Sequence, residues 1–165
     1  MTVDGNILTT TLDGNNLATS PTLDLLDGIG QTLAAAGLVT YPLGAGATYA
    51  PTDTALAFAR MPADPDRCVV LTDYTLSDDA ANPWSQIRVQ VRTRGLPNRP
   101  DDVWALRDGV FQVLQSMSAL TFGTVTVAQC LRVSSIPMGQ DANLRFMYAD
   151  NYTFDVQVPA TSNRP

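Results

Sequence analysis

From Gln86 to Gly95 the chain reads QIRVQVRTRG, and the alternation is strict. Ile87, Val89 and Val91 point one way; Arg88, Gln90, Arg92 and Arg94 point the other. Successive side chains of a strand face opposite sides, so this period specifies a half-buried β-strand and not an amphipathic helix. One face is apolar and the other carries three arginines. Guanidinium groups form planar, bidentate pairs with carboxylates, which makes the row a candidate contact surface for acidic residues of a partner. Charged side chains also line ordinary solvated faces, and the alternation suits either reading.

The rest of the chain arranges itself around this strand. Residues 1–19 are rich in Thr, Asn and Gly, with scattered Val3, Ile7, Leu8, Leu12 and Leu17. They read as an N-terminal arm that is mobile alone and orders only on a neighbour. Ser20 then supplies a helix N-cap and Pro21 a first helical residue. Leu23, Leu26, Ile29 and Leu33 follow at helical spacing, and Gly37 suits a left-handed C-cap, so a helix is predicted from about Pro21 to Ala36. Gly28 and Gly30 weaken that helix by about 1 kcal/mol each relative to Ala, which points to close packing there. A Gly/Pro-containing connection leads to Thr54–Arg60, which reads as a short strand, with a helical turn as the alternative because Ala is abundant there. The Pro62/Pro65 turn leads to an apolar strand, Cys68–Tyr74, and a polar loop precedes the arginine strand at Trp84.

A second helix is predicted from Pro100 or Asp101 to Met117. Its stripe is Val103, Leu106, Val110, Val113, Leu114 and Met117, widened by Trp104 and Phe111, and it is read as packing on the sheet. Two strands follow. One runs from Val125 and ends at Pro137–Gly139. The other places Phe146, Tyr148, Tyr152, Phe154, Val156 and Val158 on one parity until Pro159 stops it. The fold expected is α+β: a mixed, antiparallel-rich sheet of about four to five strands with two helices on one face. Residues 20–158 form the single domain and 159–165 a polar tail.

Composition narrows what such a domain does. With 165 residues, 45% of them apolar, the chain can bury roughly 70% of its unfolded surface. The net charge is −6 and the pI about 4.3, unlike a general nucleic-acid binder. All ten basic residues are Arg, a compositional bias that carries no mechanism. No signal peptide and no membrane span are read from the sequence. Histidine is absent, which removes the Ser-His and Cys-His nucleophile pairs and the commonest metal ligand. Gly44-Ala-Gly46 lacks the lysine and spacing of a phosphate loop. Cys68 and Cys130 each sit in an apolar strand pattern and read as buried thiols, with a disulfide as the lesser alternative. The Asp64/Asp66, Asp78/Asp79 and Asp101/Asp102 pairs lie in loops or at a helix start, where Asp serves turns and caps. No nucleophile, base and orienting group can be assembled, so the expectation is a non-enzyme without cofactor or metal.

Several strings in this order resemble the tail terminator or minor capsid proteins of the neck of long-tailed bacteriophages. They are Ala-Ala-Ala-Gly-Leu38 closing the first helix, the loop Met-Pro-Ala-Asp-Pro-Asp-Arg67, the arginine strand Ile87–Gly95, the helix after it and the long aromatic strand. The resemblance covers about residues 20–158. It implies a structural protein of the virion neck, made in the host cytoplasm. Such a protein is a homo-oligomeric ring, commonly hexameric, that caps the tail tube, stops its polymerisation and offers a joining surface to the head-side connector, while DNA passes through without specific binding. On that reading Arg88, Arg92 and Arg94 pair with acidic residues such as Asp78 and Asp79 on a neighbour or on the tube. A head-completion or stopper protein of the neck is the alternative within this class. From other classes, the alternatives are an anion-binding module built on the arginine strand and an enzyme using paired aspartates with a divalent metal.

Overall fold

A computed structural model describes residues 20–41, 43–44, 47–79, 81–160 and 162. The arm expected at residues 1–19 lies outside the described residues, as does most of the tail. Helix α1 spans Pro21–Ala35, with the Ser20 hydroxyl accepting from the amide of Leu23 at 3.3 Å and Gly37 closing it at φ +72°. The strands are β1 (Thr54–Phe58), β2 (Arg67–Asp78), β3 (Trp84–Pro97), β4 (Leu120–Phe122), β5 (Val125–Gln140) and β6 (Arg145–Gln157). Helix α2, Pro100–Leu114, lies between β3 and β4. The six strands form one sheet in the order β1-β2-β3-β6-β5-β4. All neighbours are antiparallel except β1 and β2, which are parallel.

The core lies between the helices and one face of the sheet. Leu25, Ile29 and Leu33 of α1 and Val110 and Leu114 of α2 are fully or almost fully buried. They meet the apolar parity of the strands: Val69 and Leu71, Val89 and Val91, Cys130, and Tyr152, Phe154 and Val156. Gly28 and Gly30 allow this approach. A Cβ on Gly28 would fall 2.1 Å from the Phe122 ring, and one on Gly30 would fall 2.5 Å from Leu56. Cys130 lies in this core, whereas Cys68 belongs to a small cluster with Ala55 and Val70 on the other side of the sheet. The two thiols are therefore separate, and both are free.

Three features depart from the sequence reading. The sheet has six strands, not four to five, because Leu120–Phe122 pairs with Val125–Val127. The first two strands, which the Pro62/Pro65 turn would join as an antiparallel hairpin, form a parallel pair. After Phe58 the chain runs back through residues 59–66 and restarts beside Thr54, with Thr54 opposite Arg67. Strand β5 continues through Pro137 to Gln140, since proline is tolerated where the outer side of a strand has no partner.

Candidate interaction surface

The helices cover one face of the sheet, and the other is only partly covered. Toward β1, the segment 59–66 and Tyr49 close over Ala55, Cys68 and Val70. The Tyr49 hydroxyl donates to the Leu56 carbonyl at 2.7 Å. Beyond that patch the face is open and polar. Tyr74 of β2 and Gln90 of β3 direct polar atoms at Asn151 Oδ1 of β6, at 3.4 and 3.5 Å. Asn151 Nδ2 donates in turn to Ser134 Oγ of β5 at 2.9 Å. A belt of neutral polar side chains thus crosses four strands.

The arginine row of β3 falls on this face, and its three members have different surroundings. Arg94 is 3% exposed. Its Nε donates to the Asp66 carbonyl at 2.8 Å, and its Nη2 donates to the carbonyls of Pro65 at 2.8 Å and Ala63 at 3.3 Å. The alternation placed Arg94 with the partner-facing residues, but the returning segment covers it and uses all its reach. Arg92 sits at the border: Nη2 donates to the Ala59 carbonyl at 2.8 Å, and Nε is buried without a partner. Arg88 lies farther out, its guanidinium 5.9 Å from the centre of the Tyr74 ring, and its Nε is also buried without a partner. Among the described residues, neither Arg88 nor Arg92 forms an ion pair, although Arg67, Arg99, Arg107, Arg132 and Arg145 all do. The row able to meet a partner therefore narrows to Arg88 and Arg92.

Asp78 and Asp79 lie at the end of the β2–β3 hairpin. Asp78 Oδ1 accepts from Ser85 Oγ at 2.6 Å. Asp79 organises the turn, accepting from the amide of Ala81 at 2.7 Å and from Asn82 Nδ2 at 2.6 Å. Both line a shallow groove with Trp84, Gln86 and Asp155. Asp155 comes from β6 and accepts from Gln86 Nε2 at 2.8 Å. Its contribution was not foreseen, because it is distant in sequence and joins the groove only through β3–β6 pairing. The groove is acidic and sits at the hairpin end of the sheet, where Gln86 leads along the same face of β3 to Arg88, so anionic and cationic surfaces adjoin on the subunit. Two surfaces of opposite sign on one subunit suit a heterologous contact between copies.

Sequence reasoning also missed Arg145, which is 4% exposed. It donates to the Ala63 carbonyl at 2.9 Å and pairs with Asp66 at 3.1 Å and Asp141 at 2.7 Å. With Arg94 it ties residues 63–66 to the sheet. The remaining acidic pair has a structural role as well: the Arg67 guanidinium beside Asp102 holds its carboxyl below the usual carboxylate range. Among the described residues, no group of three His, Cys, Asp or Glu is placed to hold a metal ion. No helix among them is long and apolar enough to cross a membrane.

Residues 32–158 match the family model described as bacteriophage tail terminator protein. One chain of a solved structure, "Virion of native gene transfer agent (GTA) particle", has a similar fold. It matches with a TM-score of 0.64 at 12% identity, covering 85% of this chain and 99% of that one. No curated protein matches the sequence.

Proposed function

The chain belongs to the bacteriophage tail terminator family, structural proteins of the phage tail, and from that premise we propose that it assembles into a ring that caps the tail tube, ends its growth and forms the joining surface toward the head. The observation that carries this reading is the pair Arg88 and Arg92. Each holds a guanidinium on an open sheet face, has a buried Nε without a partner, and makes no ion pair with a described carboxylate. A carboxylate brought to such a half-buried guanidinium pairs with it, and the acidic groove of Asp78, Asp79 and Asp155 on the next copy supplies such groups. A pairing of one copy's groove with the next copy's arginines that repeats head-to-tail gives a ring where the rotation closes. The tail tube and the head-side connector then meet the two rims. A subunit of net charge −6 repels the DNA backbone, so DNA passes without specific contacts.

The test is tube growth. Purified tail-tube protein should elongate to shorter, uniform lengths when this protein is added at substoichiometric amounts, with rings visible at tube ends by electron microscopy. Unchanged length distributions would refute the capping role. Arg88→Ala together with Arg92→Ala should abolish capping while leaving the subunit folded; capping by that variant would remove these residues from the contact.

A further inference from the structure

Strand β5 pairs with β6 along its length but with β4 only at Val125–Val127. The turn after α2 covers the next stretch of its outer side. Ser116 donates to the Cys130 carbonyl and Cys130 to the Met117 carbonyl, both at 2.9 Å, and Arg132 donates to Gln115 Oε1 at 3.0 Å. From Val133 to Gln140 no described residue hydrogen-bonds to the outer backbone. The segment reads VSSIPMGQ and carries no charge. Val133 is 51%, Ile136 52% and Met138 48% exposed. Val133 and Met138 are each the extra residue at a shift in the β5–β6 register. Edges open to solvent are ordinarily blunted with charge; this one has bulges and Pro137 but keeps apolar side chains on display. Such an edge invites an added strand.

We propose that residues 6–12 of a neighbouring copy, Asn-Ile-Leu-Thr-Thr-Thr-Leu, add to this edge as a seventh strand. The segment is uncharged like the edge, and Ile and the three threonines favour extended structure. Its point of departure is set by α1. Helix α1 begins beside the start of β5, where Asp24 Oδ2 accepts from the amide of Thr124 at 2.8 Å. Val133 lies nine residues further along β5, roughly 30 Å away. Leu12 lies eight residues before Ser20, a span of at most about 28 Å when fully extended. The arm of the same copy would have to be fully extended from Ser20 to bring Leu12 near Val133, whereas the arm of an adjacent copy has no such limit. Ile136 and Met138, which share a parity, then lie beside Leu8 and Leu12, which share another.

Hydrogen exchange on the full chain tests this, with Ile7→Asp/Leu8→Asp in the full chain as the comparison. The amides of residues 133–140 should slow at least tenfold as concentration rises and copies associate. In the variant they should stay fast, while the core amides of β3 remain protected in both. Equal exchange of residues 133–140 in the two proteins at all concentrations would overturn the proposal. Protection that the variant loses but that does not depend on concentration would also overturn it, since the arm would then cover its own subunit. The experiment needs no tail tube, so its outcome is independent of the capping assay.

Discussion

Arg67, the first residue of β2, holds Asp102 in the first turn of α2 by two parallel contacts. Nε donates to Oδ2 at 3.0 Å and Nη2 to Oδ1. The Asp102 side chain is 4% exposed, that of Arg67 40%. Oδ2 also accepts from the amide of Leu96 at 2.9 Å, so one aspartate joins β2, the end of β3 and the start of α2.

Asp102→Asn keeps the shape and loses the charge. Hydrogen bonds to a charged group are worth about 1.5–3 kcal/mol, and the variant should lose about that much stability in denaturant titration. The pH dependence follows from the lowered carboxyl. A carboxylate depressed on folding stabilises fully above its unfolded pKa, about 3.9. That contribution is lost as pH falls through the lower, folded value. Melting temperatures of the wild type should therefore drop more steeply below about pH 4 than those of Asp102→Asn. Parallel curves would show that the charge on Asp102 does not contribute.

Gly95 lies where β3 passes the first turn of α2. A Cβ there would meet the Val103 nitrogen at 2.8 Å and the Val103 Cβ at 2.9 Å. Backbone atoms cannot swing aside, so Gly95→Ala should cost about 1–3 kcal/mol through overpacking. Gly44→Ala, with nothing within 4 Å of the added carbon, should be silent by comparison in thermal unfolding.

The arginines of β3 should separate by experiment. Arg94→Ala orphans carbonyls of the 63–66 segment, at about 1–3 kcal/mol for each one left buried, and should lower the melting temperature of the isolated subunit. Arg88→Ala removes no ion pair with a described residue, only a distant contact with the Tyr74 ring, and should leave stability within about 0.5 kcal/mol. Equal melting losses for the two variants would contradict this division.

The thiols should be inert in the native protein. Burial pushes Cys130 up to about 12, and Cys68 is raised by burial as well. The thiolate is the reactive form, so both should resist an aromatic disulfide reagent at pH 8 and react together on unfolding. Rapid reaction of one thiol under native conditions would reveal a local opening of its layer.

Much of this architecture is legible in the sequence where a local rule acts alone. Ser20, Pro21 and Gly37 fix the ends of α1, and the parities of Ile87–Val91 and Tyr152–Val156 fix which faces of β3 and β6 are buried. What escaped depends on contacts between distant segments. Periodicity states which side chains share a face but not in which direction a neighbouring strand runs, so β1 could not be read as parallel to β2. Three residues, Leu120–Phe122, are too few to show any period. Arg94 follows the parity of Arg88 and Arg92, yet only the return of residues 59–66 over the sheet distinguishes a buried clamp from a surface cation. The groove at Asp78 and Asp79 gained Asp155 by strand pairing across sixty-nine positions from Gln86.

The placement of β6 bears on the order of events during synthesis. It fills the gap between β3 and β5, yet it is the last of the six strands to leave the ribosome. At about 5–20 residues per second, β5 waits a second or more beside an unfinished sheet before its main partner exists. Until then the β1-β2-β3 portion and the β4-β5 portion have no ladder between them. The final strand thus acts as the keystone of the sheet, and nascent chains halted before Arg145 are the ones most in need of a chaperone.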